Sequence, residues 1–272
     1  MPALLLAIGI GLISGVLSGA FGIGGGIVTT PAIRLLMHAP ALIAVGTPLP
    51  VIIPSAITGA ASYVRKGLAH PRAGIVLGVS GAVTSVLGAM AASKVGGPVV
   101  LVGTAVLILY AGGDMLMQVF KPPVAQVARA VDSATAAGAS PARASIELPT
   151  FKLVVIGVIA GFYSGFFGLG GGFIVVPMLT RWVRMPLKAA IGTSLVTVAV
   201  LAVPGTITHA LLGNIDWSIA AGLALGVVPG AAIGARITLG AKDRAIRIGF
   251  ATLLLAVAAW LAISEAPGVF AR

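Results

Sequence analysis

A glycine-rich stretch of this chain occurs twice and constrains the fold more than any other feature. The segment GVLSGAFGIGGGIVTTPAI at 15–33 reappears as GFYSGFFGLGGGFIVVPML at 161–179, 146 residues later. The same offset pairs Gly67 with Gly213 without a gap. The sequence is therefore two copies of one unit, and each copy carries three consecutive glycines inside apolar sequence.

The composition predicts an integral membrane protein. Apolar residues make up 58% of the 272 residues and charged residues only 8%, whereas a soluble domain carries about 25% charged residues. In a soluble protein the net charge of +11 would suggest nucleic-acid binding. Here the basic residues lie in short loops between apolar runs, where they act as topology signals, so we expect no nucleic-acid partner. The absence of cysteine excludes disulfides and thiolate metal sites.

Apolar runs predict about five membrane segments in each copy, because a span needs about 20 apolar residues. In each copy the second segment is short. The prolines at 48, 50, 54 and 204 should kink or unwind the helices that carry them. We expect a first membrane repeat at 1–118, a cytoplasmic linker at 119–150 and a second repeat at 151–272. The predicted segments are 3–20, 27–37, 41–63, 73–93, 98–118, 152–167, 173–183, 188–211, 217–236 and 245–264.

Loop charges predict that the two copies run in opposite directions across the membrane. The loop after the third segment is basic in the first copy (Arg65, Lys66, Arg72) and without basic residues in the second, where the flanking loops are basic instead. Because basic loops stay cytoplasmic, both termini are expected outside and the linker inside. Fourteen basic residues then lie inside and three outside. Such inverted repeats are typical of secondary transporters.

The glycine runs predict broken helices. Each glycine costs about 1 kcal/mol against alanine in a helix, so three together should end it, and a short helix follows whose N-terminus faces the break. Free N–H groups and the helix dipole make such an end an anion site. We expect the two ends to meet near the bilayer midplane and to bind substrate there, through Gly24, Gly25, Gly26, Gly170, Gly171 and Gly172. Close helix packing is the alternative, and we favour it for Gly15, Gly19, Gly161 and Gly165.

Small hydroxyl side chains near the breaks are candidate hydrogen-bond donors to an oxyanion. They are Ser18, Thr47, Ser164, Thr193 and Ser194, and bonding to the i−4 carbonyl of their own helix is the alternative. Pro48 stands where the second copy has Ser194, so the two halves of the site should differ. His209 and its counterpart Tyr63 are candidates for gating or proton coupling.

Other kinds of site find no support in the sequence. A phosphate-binding loop needs lysine after the glycines, and Ile27 and Phe173 stand there instead. No cluster of His, Asp and Glu has metal-ligand spacing, and no nucleophile has an evident base. We therefore expect no catalytic residue, no metal and no cofactor, and not an enzyme.

The doubled S-G-x-F-G-x-G-G-G-x-x-x-x-P motif, the Gly-Thr at 46–47 and 192–193 and the polar central linker resemble the TauE/SafE family of sulfite exporters. The resemblance covers nearly the whole chain. It implies transport of a small sulfur-containing anion, such as sulfite, sulfoacetate or another organosulfonate, across a bacterial inner membrane. Some relatives use cysteines for thiosulfate, and this chain has none.

The expected function is thus secondary transport of such an anion by alternating access, with export as the favoured direction. The expected partners are the anion and the lipid bilayer, with protons as a candidate coupling ion and a homodimer as a candidate assembly. A facilitator or channel for another small anion, such as a carboxylate, is the alternative within transport. A membrane-embedded enzyme or assembly factor is the alternative from another class.

Overall fold

The computed structural model describes residues 2–95, 97–120 and 149–270, and this part of the chain is helical without strands. Most of the predicted linker, at 121–148, lies outside the described residues. In chain order the helices are α1 (Pro2–Phe21), α2 (Gly26–Leu36), α3 (Ala41–Gly46), α4 (Pro48–Arg65), α5 (Pro71–Val95), α6 (Gly97–Phe120), α7 (Thr150–Phe167), α8 (Gly172–Arg181), α9 (Leu187–Leu211), α10 (Trp217–Gly240) and α11 (Asp243–Phe270).

Both glycine runs break the helix, as the sequence predicted. Helix α1 ends at Phe21 and α2 begins at Gly26, while α7 ends at Phe167 and α8 begins at Gly172. Three glycines in each break have left-handed backbone, with φ between 67° and 87°. Residues other than glycine rarely adopt this backbone conformation, so the positions of the glycines determine where the chain leaves the helix. These glycines are Gly22, Gly24, Gly25, Gly168, Gly170 and Gly171.

Proline interrupts one further helix in the first repeat. Helices α3 and α4 are separated at Thr47, and Pro48 is the first residue of α4. Proline has no N–H to donate to the preceding turn, so the interruption predicted there is confirmed. In the second repeat Ser194 takes the equivalent place. Helix α9 runs unbroken through Pro204, and α4 runs unbroken through Pro50 and Pro54, so the unwinding that the sequence suggested at these three prolines does not occur.

Small residues bring the long helices into close pairs. Helix α1 packs along α10, and α7 packs along α5. A methyl group added at Gly15 would lie 2.4 Å from the carbonyl oxygen of Val227, and one added at Gly161 would lie 2.1 Å from that of Gly81. The backbones therefore touch, and the packing role predicted for the Gly-x-x-x-Gly pairs is confirmed.

The packing partners are exchanged between the two repeats. By the 146-residue offset, α7 is the counterpart of α1 and α10 is the counterpart of α5, so the pairs α1–α10 and α7–α5 are equivalent. Helices α4 and α9 pack on each other, as do α6 and α11. Each repeat therefore packs its helices against helices of the other repeat, and the two repeats form a single packed unit.

The described helices have the dimensions and surface of a multi-pass membrane protein. Six are long and apolar enough to cross a bilayer: Ala3–Phe21, Ala41–Arg65 (α3 and α4 together), Pro71–Val95, Thr150–Phe167, Leu187–Leu211 and Trp217–Gly240. Large apolar side chains point away from the protein along them, among them Leu5, Val83 and Leu211, which is 84% exposed. Such a surface requires lipid around it.

Candidate functional site

The two glycine breaks lie directly against each other in the protein core. A methyl group added at Gly172 would lie 2.2 Å from the carbonyl oxygen of Gly22, and one added at Gly26 would lie 2.8 Å from that of Gly168. The contacts are equivalent under the repeat, because Gly26 corresponds to Gly172 and Gly22 to Gly168. The structure therefore brings together the two motifs that the sequence placed 146 residues apart.

Each break ends at the N-terminus of a short helix. Gly25 and Gly171 are the N-caps of α2 and α8, and their carbonyl groups accept the first N–H groups of the helices. These come from Val28 and Thr29 in α2, at 3.1 Å each. The N–H groups of the first two residues of a helix have no acceptor within it, and the dipole gives this end about half a positive charge. Two such ends meet here, which suits an anion.

Hydroxyl groups fill the break of the first repeat. Ser14 Oγ and Thr29 Oγ1 each lie 2.8 Å from the carbonyl oxygen of Gly25 and 2.6 Å from each other. Because each hydroxyl has one hydrogen, one of them donates to the other and the second donates to the carbonyl. Ser55 Oγ donates to Ser18 Oγ at 2.8 Å. All four side chains are buried. The hydroxyl groups and the Gly25 carbonyl of the first break therefore bond to one another, although Ser18 keeps its hydroxyl hydrogen for another acceptor.

The break of the second repeat lacks this network and leaves one hydroxyl without a partner. Alanine, valine and leucine stand at positions 160, 175 and 201, where the first repeat has Ser14, Thr29 and Ser55. Ser164, the counterpart of Ser18, is completely buried, and its Oγ has no hydrogen-bond partner among the described residues. A methyl group at Gly171 would lie 3.4 Å from Ser164 Cβ, so the hydroxyl-bearing carbon lies beside the N-cap of α8.

A buried hydroxyl without a partner costs about 1–3 kcal/mol, and its place at a helix N-terminus points to a ligand. Thr30 Oγ1, in the second turn of α2, and Thr206 Oγ1, on α9, are also buried without a partner in the described part of the chain. Of these three residues, only Ser164 lies beside the N-cap of a helix that follows a glycine break, through its contact with Gly171.

Ser194 joins the two breaks. Its Oγ donates to the carbonyl oxygen of Gly22 at 2.9 Å and lies 3.5 Å from that of Gly172. Because a hydroxyl has a single hydrogen to give, Ser194 holds the breaks together in this conformation. Its predicted role as an oxyanion donor requires that this bond be released first. Pro48, at the equivalent position, has no such group, so the predicted difference between the two halves is present.

The paired threonines connect each repeat to a loop of the other. Thr47 Oγ1 accepts the backbone N–H of Asp216 at 3.0 Å, and Thr193 Oγ1 accepts that of His70, also at 3.0 Å. The two bonds are equivalent under the offset. Sequence reasoning proposed these hydroxyls as donors to substrate and did not find their role as acceptors, since neither partner residue carries a motif. Each hydroxyl still has its hydrogen to donate, so the substrate role stays a prediction.

Tyr63 and His209 also make equivalent contacts, and both are completely buried. The Tyr63 hydroxyl donates to the carbonyl oxygen of Gly19 at 3.0 Å, and His209 Nε2 lies 3.1 Å from that of Gly165. A carbonyl oxygen only accepts, so His209 carries a hydrogen on Nε2. Both carbonyls precede a glycine break by three residues, and both side chains therefore support the last turn before it. Their roles in gating or proton coupling stay predictions.

Ile52 and Val198 lie over both breaks, and sequence reasoning did not single them out. Their side chains are the nearest neighbours of a methyl group added at either Gly24 or Gly170. Only the 146-residue offset, which pairs the two positions, could have signalled them, because apolar residues are common throughout these helices.

The site is polar but uncharged in its side chains. Among the described residues, the buried polar side chains are those of Ser, Thr, His209 and Asn214, and no Lys, Arg, Asp or Glu is buried. Nor do three His, Asp or Glu side chains of this part come together in a group suited to a metal ion. Backbone dipoles and hydroxyl groups are therefore what the site offers to a ligand.

Comparison with known proteins identifies a family of membrane transporters. The family model described as sulfite exporter TauE/SafE matches residues 7–261. A probable membrane transporter protein of Xylella fastidiosa (strain 9a5c) is 27% identical over 267 residues, which cover 96% of this chain and 95% of the relative. The probable membrane transporter proteins YunE and YdhB of Bacillus subtilis are 24% and 26% identical, over 84% and 82% of this chain and 84% and 86% of their own lengths. No solved structure matches. The chain therefore belongs to the sulfite exporter TauE/SafE family of membrane transporters.

Proposed function

We propose that this protein is a secondary transporter that moves a small sulfur-containing anion, such as sulfite, sulfoacetate or another organosulfonate, across the bacterial inner membrane by alternating access, in the direction of export. The observation that carries the proposal is the buried hydroxyl of Ser164, which has no partner among the described residues and lies beside the N-cap of α8.

Attraction of the anion comes from the two helix N-termini. Together α2 and α8 contribute about one unit of positive charge at their meeting point, and the N–H groups of Gly26 and Gly172 stand at the start of each helix. A sulfite or sulfonate group has three oxygens, so it can accept hydrogen bonds from both helices and from a hydroxyl at once. A site without a buried cation in the described residues holds the anion weakly enough to release it.

The two halves of the site have different roles in this proposal. In the first repeat, Ser14, Thr29 and Ser55 satisfy the groups around the break. In the second repeat, apolar residues at the equivalent positions leave Ser164 available. We therefore place the strongest hydrogen bond to the anion at α8, with Ser18, Thr47, Thr193 and Ser194 contributing as the helices move.

Alternating access is supported by the relation between the repeats. The exchanged helix pairs α1–α10 and α7–α5 are what two copies related by a pseudo-twofold axis produce, and the loop charges favour opposite orientations with both termini outside. The crossed bonds of Thr47 to Asp216 and of Thr193 to His70 join the repeats at equivalent points. Rocking of one repeat against the other would break and remake them.

Flux measurements on purified protein in proteoliposomes test the proposal. Labelled sulfite, sulfoacetate and lactate are compared, and saturable flux is expected for a sulfur anion. Ser164→Ala removes one hydrogen bond to a charged ligand, worth about 1.5–3 kcal/mol, so the apparent affinity should fall by about 10- to 150-fold. Ser62→Ala is the control, because the hydrogen bond of the Ser62 hydroxyl among the described residues is to the Thr58 carbonyl of its own helix.

The alternatives give different results in the same assay. Non-saturable flux, or flux of lactate alone, would favour a facilitator or channel for carboxylates. No flux of any of these anions from correctly folded protein would overturn transport of small sulfur anions. Loss of flux in Gly25→Leu and Gly171→Leu, with the fold retained, is the expected companion result.

A further inference from the structure

We propose that Ile52 and Val198 form an apolar gate over the helix N-termini and determine, by size and hydration, which anions reach them. The inference rests on the proposed function, since the gate guards the anion site described above.

The two side chains lie against both glycine breaks at once. A methyl group added at Gly24 would lie 2.6 Å from Val198 Cγ1 and 3.1 Å from Ile52 Cγ2. One added at Gly170 would lie 3.1 Å from Ile52 Cδ1 and 3.1 Å from Val198 Cγ1. Val198 also reaches the first residue of α8, with its Cγ2 3.0 Å from a methyl group at Gly172. The pair therefore covers the end of the helix where the anion is expected to bind.

The arrangement is symmetric under the repeat. Ile52 on α4 and Val198 on α9 are 146 residues apart, as are Gly24 and Gly170, so each repeat contributes one gate residue and each gate residue contacts both repeats. Both side chains are closed off from the surroundings, with exposures of 1% and 0%.

Apolar side chains at this place control access physically. An anion approaching the N–H groups must lose water as it passes an apolar constriction, and such constrictions also exclude water when closed. Isoleucine and valine are stiff about χ1, so the pair opens chiefly by movement of the helices that carry it. Because α4 and α9 pack on each other and belong to different repeats, a relative rocking of the repeats separates the two side chains.

Thiol labelling measures the gate directly. The chain contains no cysteine, so Ser164→Cys introduces a single thiol at the site, and the anionic reagent 2-sulfonatoethyl methanethiosulfonate serves as the probe. Adding Ile52→Ala together with Val198→Ala should raise the labelling rate about tenfold or more, a change equal to at least 1.4 kcal/mol in the barrier. Ile57→Ala with Val203→Ala is the matched control on the same helices, since both face the surroundings, with exposures of 57% and 44%.

The labelling rate does not depend on which anion the protein transports, so failure of the gate and failure of the proposed function are distinguishable. Equal rates in gate and control variants would overturn the gate, as would a rise of equal size in both. If the double alanine variant does not fold, the single variants Ile52→Val and Val198→Ala replace it, with the same order expected. Ile52→Phe should slow labelling, and unchanged or faster labelling in that variant would also overturn the gate.

Discussion

Replacing Gly172 by alanine tests the contact on which the site depends. Gly172 is the first residue of α8 and does not have left-handed backbone, so alanine suits the local conformation and gains about 1 kcal/mol in helix propensity. The new methyl group, however, would lie 2.2 Å from the carbonyl oxygen of Gly22. A carbon and an oxygen in contact are about 3.3 Å apart, so the two breaks must separate by about 1 Å.

The expected cost follows from this separation. Overpacking in a core costs about 1–3 kcal/mol, and the upper end applies because backbone cannot turn aside as a side chain does. After the gain in propensity, we expect a net loss of about 2 kcal/mol in the free energy of unfolding. For a chain of this size 1 kcal/mol corresponds to about 2–4 °C in Tm, so Tm in detergent should fall by about 4–8 °C. Anion flux should fall with it.

Two matched variants give the control series. Gly26→Ala makes the equivalent change in the first repeat, where the nearest atom would be 2.8 Å away, and a smaller loss is expected. Gly9→Ala lies on α1 with nothing within 4 Å of the added methyl group, so its Tm should stay equal or rise. The reasoning is refuted if Gly172→Ala is as stable and as active as Gly9→Ala, or if Gly26→Ala is the more damaging of the two.

Three further outcomes are expected. Thr47→Val removes the acceptor for the N–H of Asp216, the N-cap of α10. The loss should cost about 1–3 kcal/mol and lower both Tm and flux, and an unchanged Tm would show that the crossed bond is not needed. Tyr63→Phe removes the hydroxyl that supports the turn before the first break and should cost about 1 kcal/mol of stability. Tyr110 is 71% exposed, so Tyr110→Phe should cost nothing measurable. Equal Tm changes in the two variants would contradict the role assigned to Tyr63. Lys66→Cys and Leu212→Cys are equivalent under the offset and should react with an impermeant thiol reagent from opposite sides of the membrane. Lys66→Cys should react from the inside. Labelling of both from one side would exclude inverted repeats.

Much of the fold was predictable because the controlling signals are local. Three glycines in a row disfavour a continuous helix inside apolar sequence, and both helices break at the predicted places. Pro48 lacks an N–H and begins a new helix after the interruption at Thr47, although α4 and α9 continue through Pro54 and Pro204. The spans follow from the length of the apolar runs, and the small residues of α1 and α7 indicated close packing before a partner was known.

The site was predictable only in outline. The motif indicated that two helix N-termini would meet, and the offset paired Ser18 with Ser164. It did not show that Ser18 receives a hydrogen bond from Ser55 while the Ser164 hydroxyl has no partner in the described part of the chain. The difference depends on residues at 55 and 201, which lie far along the chain and match no motif. Likewise, nothing local indicated that Thr47 and Thr193 accept N–H groups from Asp216 and His70.

The sequence by itself determined that this is a doubled, multi-pass membrane protein with a helix break in each copy, because chain stiffness, hydrophobicity and backbone conformation are properties of short segments. Tertiary structure decided which groups meet at the breaks, that α1 pairs with α10 rather than with its own neighbour in sequence, and that Ile52 and Val198 close over both glycine runs. Those contacts join residues that are far apart in the sequence, many of them in different repeats. They depend on the distances between packed backbones, which no local pattern records.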